Sequence, residues 1–233
     1  MGSGVDTVRI GAGRLRVGPW RGDESVAYLA PVGEGPAPSE DAVRRCCDEL
    51  AARGYLEVVT AALGHVEAHG FLLAGFAVQE RLHLLAHDLL DLPPAPPVPL
   101  RRGRKKDHPS VLQVDRVAFS PFWQLDDAGL EEALTATPTS RFRVVGEEPI
   151  AGYAVTGRAG RRGFVQRLAV DPQHHGAGYG QALVLDGLQW LRRRGAERVV
   201  VNTQQSNDRA LALYERLGFR LQPSGLAVLR SKL

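Results

Sequence analysis

The stretch with the fewest folded solutions is residues 163–194. An apolar run, Gly163–Val170, ends in Asp171-Pro172. A loop follows with glycines at 176, 178 and 180, then Val184, Leu188 and Leu191 at i, i+4 and i+7. This order reads as a buried strand, a glycine turn and a helix from about Gly180 to Arg194. Arg192–Arg194 oppose the negative end of that helix, and Gly195 closes it. Such a turn aims successive backbone N–H groups and the positive end of a helix dipole at one point, which suits a phosphate or pyrophosphate. The same glycines also suit a tight turn that holds no ligand.

The flanking segments alternate in type. Ser110–Phe119 and Asp126–Thr135 read as helices, and Arg141–Val145 with Ile150–Val155 as a hairpin around Gly146-Glu147-Glu148-Pro149. Arg198–Thr203 reads as a strand. Asn207 is placed to cap a short helix bearing Ala210, Tyr214 and Leu217, closed by Gly218, and Gly225–Leu229 reads as a final strand. Upstream, a helix over Asp41–Arg53, a strand over Leu56–Thr60, a helix over His65–Ala74 and a strand through Leu82–Leu85 echo this order. Ala-Ala-Arg-Gly at 51–54 matches Arg-Arg-Arg-Gly at 192–195, and Leu-Ala-Gly-Phe at 73–76 matches Arg-Leu-Gly-Phe at 216–219. Two related lobes with the first shortened account for the echo, as does coincidence of a common helix–strand pattern.

Between them, prolines 93, 94, 96, 97 and 99 favour an extended, donor-poor path and read as a stiff linker. The expected division is a lobe at 1–92, a proline-rich and basic linker at 93–106, and a domain at 107–233 whose first strand begins as early as 98. Within the linker, Arg101-Arg102-Gly103-Arg104-Lys105-Lys106 reads as a polyanion patch or as a solvated strand edge.

Composition narrows the class. The 233 residues are 44% hydrophobic and 24% charged, which excludes intrinsic disorder. No apolar run approaches a membrane span, and the N-terminus lacks the basic-then-apolar pattern of a secretory signal. Cys46 and Cys47 are adjacent, a poor disulfide pair and a poor metal site, so the expected compartment is reducing and cytoplasmic. The net charge of +3 suits an anionic ligand without requiring nucleic acid. His65 with His69, and His83 with His87, are four apart, but neither pair forms His-Glu-x-x-His, so no metal is expected. The ending Ser231-Lys232-Leu233 matches a peroxisomal address and equally the tail of a strand.

Two nucleotide motifs fail against the glycine loop. No Gly-x-x-x-x-Gly-Lys-Ser/Thr is present, and Gln181 stands where a dinucleotide fingerprint needs its last glycine. A third pattern fits. Asn207-Asp208-Arg209-Ala210-Leu211-Ala212-Leu213-Tyr214-Glu215-Arg216-Leu217-Gly218-Phe219 resembles the N-x-x-A-x-x-L-Y-x-x-x-G-F segment of the GNAT acetyltransferases. His175-Gly176-Ala177-Gly178-Tyr179-Gly180 resembles that family's Gln/Arg-x-x-Gly-x-Gly loop. The resemblance covers about residues 98–233.

It implies an α/β fold with a mixed, mostly antiparallel sheet and helices on both faces, preceded by a shortened repeat of the same type. It implies acetyl-CoA as co-substrate, with the backbone of Leu168, Ala169 and Val170 holding the pantetheine arm. Amides of the loop from His175 through Gly176, Ala177, Gly178, Tyr179, Gly180 and Gln181 would bind the pyrophosphate, and Asn207 would contact the cofactor. Tyr214 would be the general acid near the sulfur, and the Val170 N–H an oxyanion donor. His175 replaces the usual Gln or Arg, and Asn202 stands where some relatives carry a glutamate base. Asp115 is the substitute candidate for the base, or else a solvated surface carboxylate. Glu147 and Glu148 read as turn residues. The first lobe lacks a glycine loop, and its first helix opens Ser39-Glu40-Asp41, so it is not expected to bind CoA. The expected activity is transfer of acetyl from acetyl-CoA to a primary amine of a small molecule or a peptide N-terminus, by direct attack. The alternative is a non-catalytic acyl-CoA-binding or scaffold protein. Neither nucleic acid nor a membrane is expected as partner.

Overall fold

A computed structural model describes residues 6–10, 13–32 and 36–233. In chain order the first elements are strands β1 (Asp6–Ile10), β2 (Gly13–Trp20) and β3 (Asp23–Pro31), helix α1 (Glu40–Ala52), β4 (Glu57–Thr60), α2 (His65–Leu73) and β5 (Ala77–His87). Then come β6 (Leu100–Arg102), α3 (His108–Ala118), α4 (Asp127–Thr135), β7 (Thr139–Val145), β8 (Gly152–Ala159) and β9 (Arg162–Val170). The chain closes with α5 (Tyr179–Arg193), β10 (Arg198–Gln204), α6 (Asp208–Arg216), β11 (Arg220–Leu221) and β12 (Leu226–Lys232). No helix among the described residues is long and apolar enough to cross a membrane.

The chain divides into two compact units. The first runs as far as Leu84 and adds Asn202–Ser206 and Gln222–Leu233; the second holds Leu85–Val201 and Asn207–Leu221. In the first, the strands run β1-β2-β3-β4-β12-β5, and only β3 with β4 is parallel. The β2–β3 hairpin turns on Arg21 and Gly22, both at positive φ, the left-handed pair that matches strand twist. Leu15, Val17, Leu29, Val43, Leu50, Val58 and Phe71 fill its core.

In the second unit, β6-β7-β8-β9 are successively antiparallel, and β10 joins β9 in parallel. Val111, Val114 and Leu130 of α3 and α4 pack on Val144, Tyr153, Val155 and Ala169. Val184, Leu188 and Leu191 of α5 pack with Val165, Val199 and Tyr214. These two clusters assign the faces of β9. Its phase changes at one place: Val155 pairs with Arg167 and Thr156 with Val165, so Gln166 is an extra, bulged residue. Before the bulge Gly163 approaches Leu191 and Val165 joins the α5 cluster; after it Leu168 and Val170 do so.

The expected helices are present to within a residue or two at their ends. Three strands, β1 to β3, were not expected, and they extend the echo: β1-β2-β3-α1-β4-α2-β5 repeats as β7-β8-β9-α5-β10-α6-β11. The second hairpin strand starts at Gly152 rather than Ile150, because the Ala151 N–H turns back to the Val145 carbonyl at 2.9 Å. The final strand reaches Lys232.

The proposed domain boundaries also shift. The segment expected as a linker contains β6, antiparallel to β7, and Val98 and Leu100 pack toward Val145 and Leu183. Arg101 is not a free cation, since its guanidinium bonds both oxygens of buried Asp107 at 2.8 and 2.9 Å. The domain expected at 107–233 gives up its last strand: β12 lies antiparallel between β4 and β5. The Leu229 N–H donates to Thr60 Oγ1 at 2.9 Å, Arg230 pairs with Glu57, and Leu229 is fully buried in the first core. Leu229→Ala should therefore cost about 2–5 kcal/mol in chemical denaturation, with the loss assigned to the first unit by hydrogen exchange of β4 and α1.

Candidate functional site

Backbone pairing leaves one strand edge of the second unit open. β10 pairs with β9 over three positions, Arg198–Arg162 to Val200–Phe164, while β9 continues to Val170. The Asp171 N–H bonds the Ala151 carbonyl on the β8 side at 2.9 Å. By strand alternation, Leu168 and Val170 point their N–H and C=O groups to the opposite, open edge. Both are half-buried, with Ala169 buried between them. An extended chain with amide groups can pair with this edge as an added strand. The Val170 N–H is the candidate donor to a developing oxyanion, and the Leu168 N–H, about 6.6 Å back along the strand, is left to pair with an extended ligand.

The loop after β9 is built to leave donors unused. Asp171 caps a single turn through the Gln173 N–H at 2.8 Å. Gly176 and Gly178 adopt φ of 88° and 78°, which favour glycine, and Gly178 is the left-handed N-cap of α5. The first intrahelical bond of α5 is Ala182 N–H to Gly178 carbonyl. The amides of Gly176, Gly178, Tyr179, Gly180 and Gln181 therefore donate to nothing within the described residues, and no acid occupies the first turn. That fits a pyrophosphate. The loop's remaining members do other work. The Ala177 N–H is spent on His174, Tyr179 stacks on His174 at 5.9 Å, and His175 Nε2 lies 3.3 Å from the Val170 carbonyl oxygen.

α6 brings the last two residues. Asn207 Oδ1 accepts the Ala210 N–H at 3.0 Å, leaving its amide nitrogen without a partner among the described residues. Tyr214 is 4% exposed, edge-on to Phe219 at 5.4 Å, and its hydroxyl makes no hydrogen bond there. Burial pushes the phenol above its ordinary value near 10, so the proton is held at neutral pH.

Asp115 is neither a solvated carboxylate nor a free base. It is 0% exposed and accepts from Tyr153 Oη at 2.5 Å, the Leu125 N–H at 2.7 Å, and Arg167 Nε and Nη2 at 2.7 and 2.8 Å. Both oxygens are committed, so neither is left to take a proton from an amine. Asn202 is exposed on β10. Among the described residues no three His, Cys, Asp or Glu side chains gather as a metal group.

The first unit keeps the frame without these features. The β3–β4 ladder runs from Val26–Glu57 to Leu29–Thr60 and is extended by Leu56 N–H to Ser25 and Ala61 N–H to Leu29, so that edge is closed. Phe71 holds the place of Tyr214, edge-on to Phe76 at 5.2 Å, and Gly64 holds the place of Asn207. Ser39 caps α1, whose first turn carries Glu40 and Asp41.

Comparison with known proteins places this geometry. Residues 108–219 match the model of the acetyltransferase (GNAT) family. The mycothiol acetyltransferase of Salinispora arenicola is 57% identical over 60 residues, which are 25% of this chain and 20% of that protein. The chain thus matches only a fifth of the length of that relative. The mycothiol acetyltransferase of Rhodococcus jostii is 30% identical over 236 aligned positions, 85% of this chain and 76% of the relative. Among solved structures, a tandem GNAT protein from the clavulanic acid biosynthesis pathway aligns with a TM-score of 0.70 at 14% identity, over 97% of this chain and 81% of that one. A GCN5-related N-acetyltransferase from Kribbella flavida aligns at 0.66 and 15% identity, over 97% and 89%. At those identities the likeness is one of fold.

Because one partner of a buried ion pair cannot be removed cheaply, Asp115→Ala should lose about 3–5 kcal/mol of stability in denaturant titration. Tyr214→Phe, which removes a hydroxyl with no partner among the described residues, should change stability by under about 1 kcal/mol.

Proposed function

The chain belongs to the GNAT family of acetyltransferases, and we propose that its second unit moves the acetyl group of acetyl-CoA to a primary amine by direct attack. The observation that carries this reading is the set of amides at Gly176, Gly178, Tyr179, Gly180 and Gln181 that have no partner among the described residues, meeting the open edge of β9 at Leu168 and Val170. The loop amides would hold the pyrophosphate, the β9 edge would pair with the pantetheine amides, and the Asn207 amide nitrogen would reach the same arm. Acetyl-CoA supplies an activated thioester. The Val170 N–H stabilises negative charge on its carbonyl oxygen as the amine adds, which leaves the Leu168 N–H to the pantetheine arm. Tyr214 gives its proton to the departing sulfur.

Direct attack suits the nucleophiles present. Cys46 and Cys47 lie on α1 of the first unit, where burial pushes their thiols up to about 12 and about 11, so neither is a ready thiolate. With Asp115 occupied, the amine enters neutral or gives its proton to water. The relatives' name, mycothiol acetyltransferase, makes a mycothiol-related amine the first acceptor to try, with alkylamines, amino sugars and short peptides beside it. The commitment of Asp115 favours one second reading, a chain that binds acyl-CoA without turnover. Tight binding with no product across that panel would select it.

Calorimetry tests the binding step. Acetyl-CoA should bind at one per chain, and Gly178→Glu should abolish it by strain and charge. Two per chain would mean that the first unit also binds. A second test concerns the acid. Tyr214→Phe should lower kcat by about 10²–10⁴-fold with acetyl-CoA affinity unchanged. In the wild type kcat/KM should rise with pH toward the pKa of the amine. Because the Tyr214 pKa is raised, no alkaline fall should follow below pH 10.

A further inference from the structure

We propose that Arg167, held by Asp115, is the positioning residue that builds the acceptor side of the transfer site by clamping residues 119–125 against β9. The inference rests on the acetyl-transfer reading above. Arg167 directly precedes Leu168, and the bulge at Gln166 turns its side chain to the face that α3 covers. Its guanidinium holds one short segment by two direct contacts and a third through Asp115. It lies 3.6 Å over the Phe119 ring, donates to the Trp123 carbonyl at 2.7 Å, and grips Asp115, which accepts the Leu125 N–H. The Gln124 side chain ties the same segment to the Arg116 and Phe119 carbonyls at 3.0 and 3.1 Å.

The two faces of β9 therefore have different occupants. Leu168 and Val170 turn toward α5, whose first turn carries the unpartnered amides, so the acyl donor belongs to that side and to the open edge. On the other face Arg167 and Ala169 meet α3 and the 119–125 segment. An amine attacking the face of the thioester away from α5 meets this segment. The half-buried rings of Phe119, Phe122 and Trp123, the last two edge-on to each other at 5.1 Å, present it with an angled apolar wall. Arg167 fixes that surface relative to Leu168, one residue away, so it sets the position of the amine without touching the reacting atoms.

The test compares wild type with Arg167→Lys, which keeps the charge and loses the planar fork. The probes are 2-phenylethylamine, which has a flat arm, and methylamine, which has none. Wild type should acetylate 2-phenylethylamine with the higher kcat/KM. Arg167→Lys should raise its KM about 10- to 100-fold, erase the preference, and expose the 119–125 amides to hydrogen exchange. Acetyl-CoA affinity should stay within about twofold, a split that general loss of structure would not give. Should Arg167→Lys fail to fold, Trp123→Ala leaves the ion pair in place and should erase the same preference. Retention of the preference in the folded variant overturns the proposal, as does a wild type that lacks it or acetylates neither amine. Failure of wild type to bind acetyl-CoA is a separate result and removes the acetyl-transfer reading itself.

Discussion

One extra residue in a strand organises the second unit. With Gln166 bulged out of the β8–β9 ladder, β9 leaves its first phase and enters another. The change lets Leu168 and Val170 continue the apolar contact with α5 while Arg167 turns to the face of α3. Without the bulge, the alternation that buries Val165 would place Arg167 in the α5 core and aim Leu168 and Val170 at the opposite face. Edge, ion pair and core are thus three results of one backbone irregularity.

The two units show how little separates a frame from a site. Both use a parallel strand pair, a helix after the first strand of that pair, and a second helix closed by a positive-φ glycine and a phenylalanine. Gly54 matches Gly195, and Gly75 matches Gly218, with φ between 75° and 96° at all four. The differences are local. The first unit has a ladder that runs to the end of β4, an acidic capped helix start, a ring without a hydroxyl, and a glycine in place of an asparagine cap. Packing needs Phe71 and Tyr214 equally, while the proton transfer we propose needs only the second.

Much of this was legible in the sequence because local signals were strong. Asn207 and Gly218 bracket α6, and the glycines after Asp171-Pro172 announce the loop. β1 to β3 went unread although Leu15 and Val17 alternate with Arg14 and Arg16, and Gly22 marks the turn. The strands are short and their partners are one another, so no single stretch is decisive. The Asp115–Arg167 pair was illegible for a different reason. Its partners are 52 positions apart, and nothing in either residue's neighbourhood separates a buried carboxylate from a solvated one. The same holds for Leu229 and Thr60, 169 positions apart, which no periodicity connects.

That last pairing has a consequence for how the molecule comes into being. Strands β4 and β5 are made early, yet the strand that lies between them arrives only after the whole second unit has been synthesised. Until then Val58 and Val59 sit on an unfinished edge, open to other chains. The second unit, whose own strands lie within residues 85–221, can close first. The sheet of the first half is thus the last to be completed as the chain is made, and a ribosome that stops short leaves behind a sticky sheet with a gap in its middle.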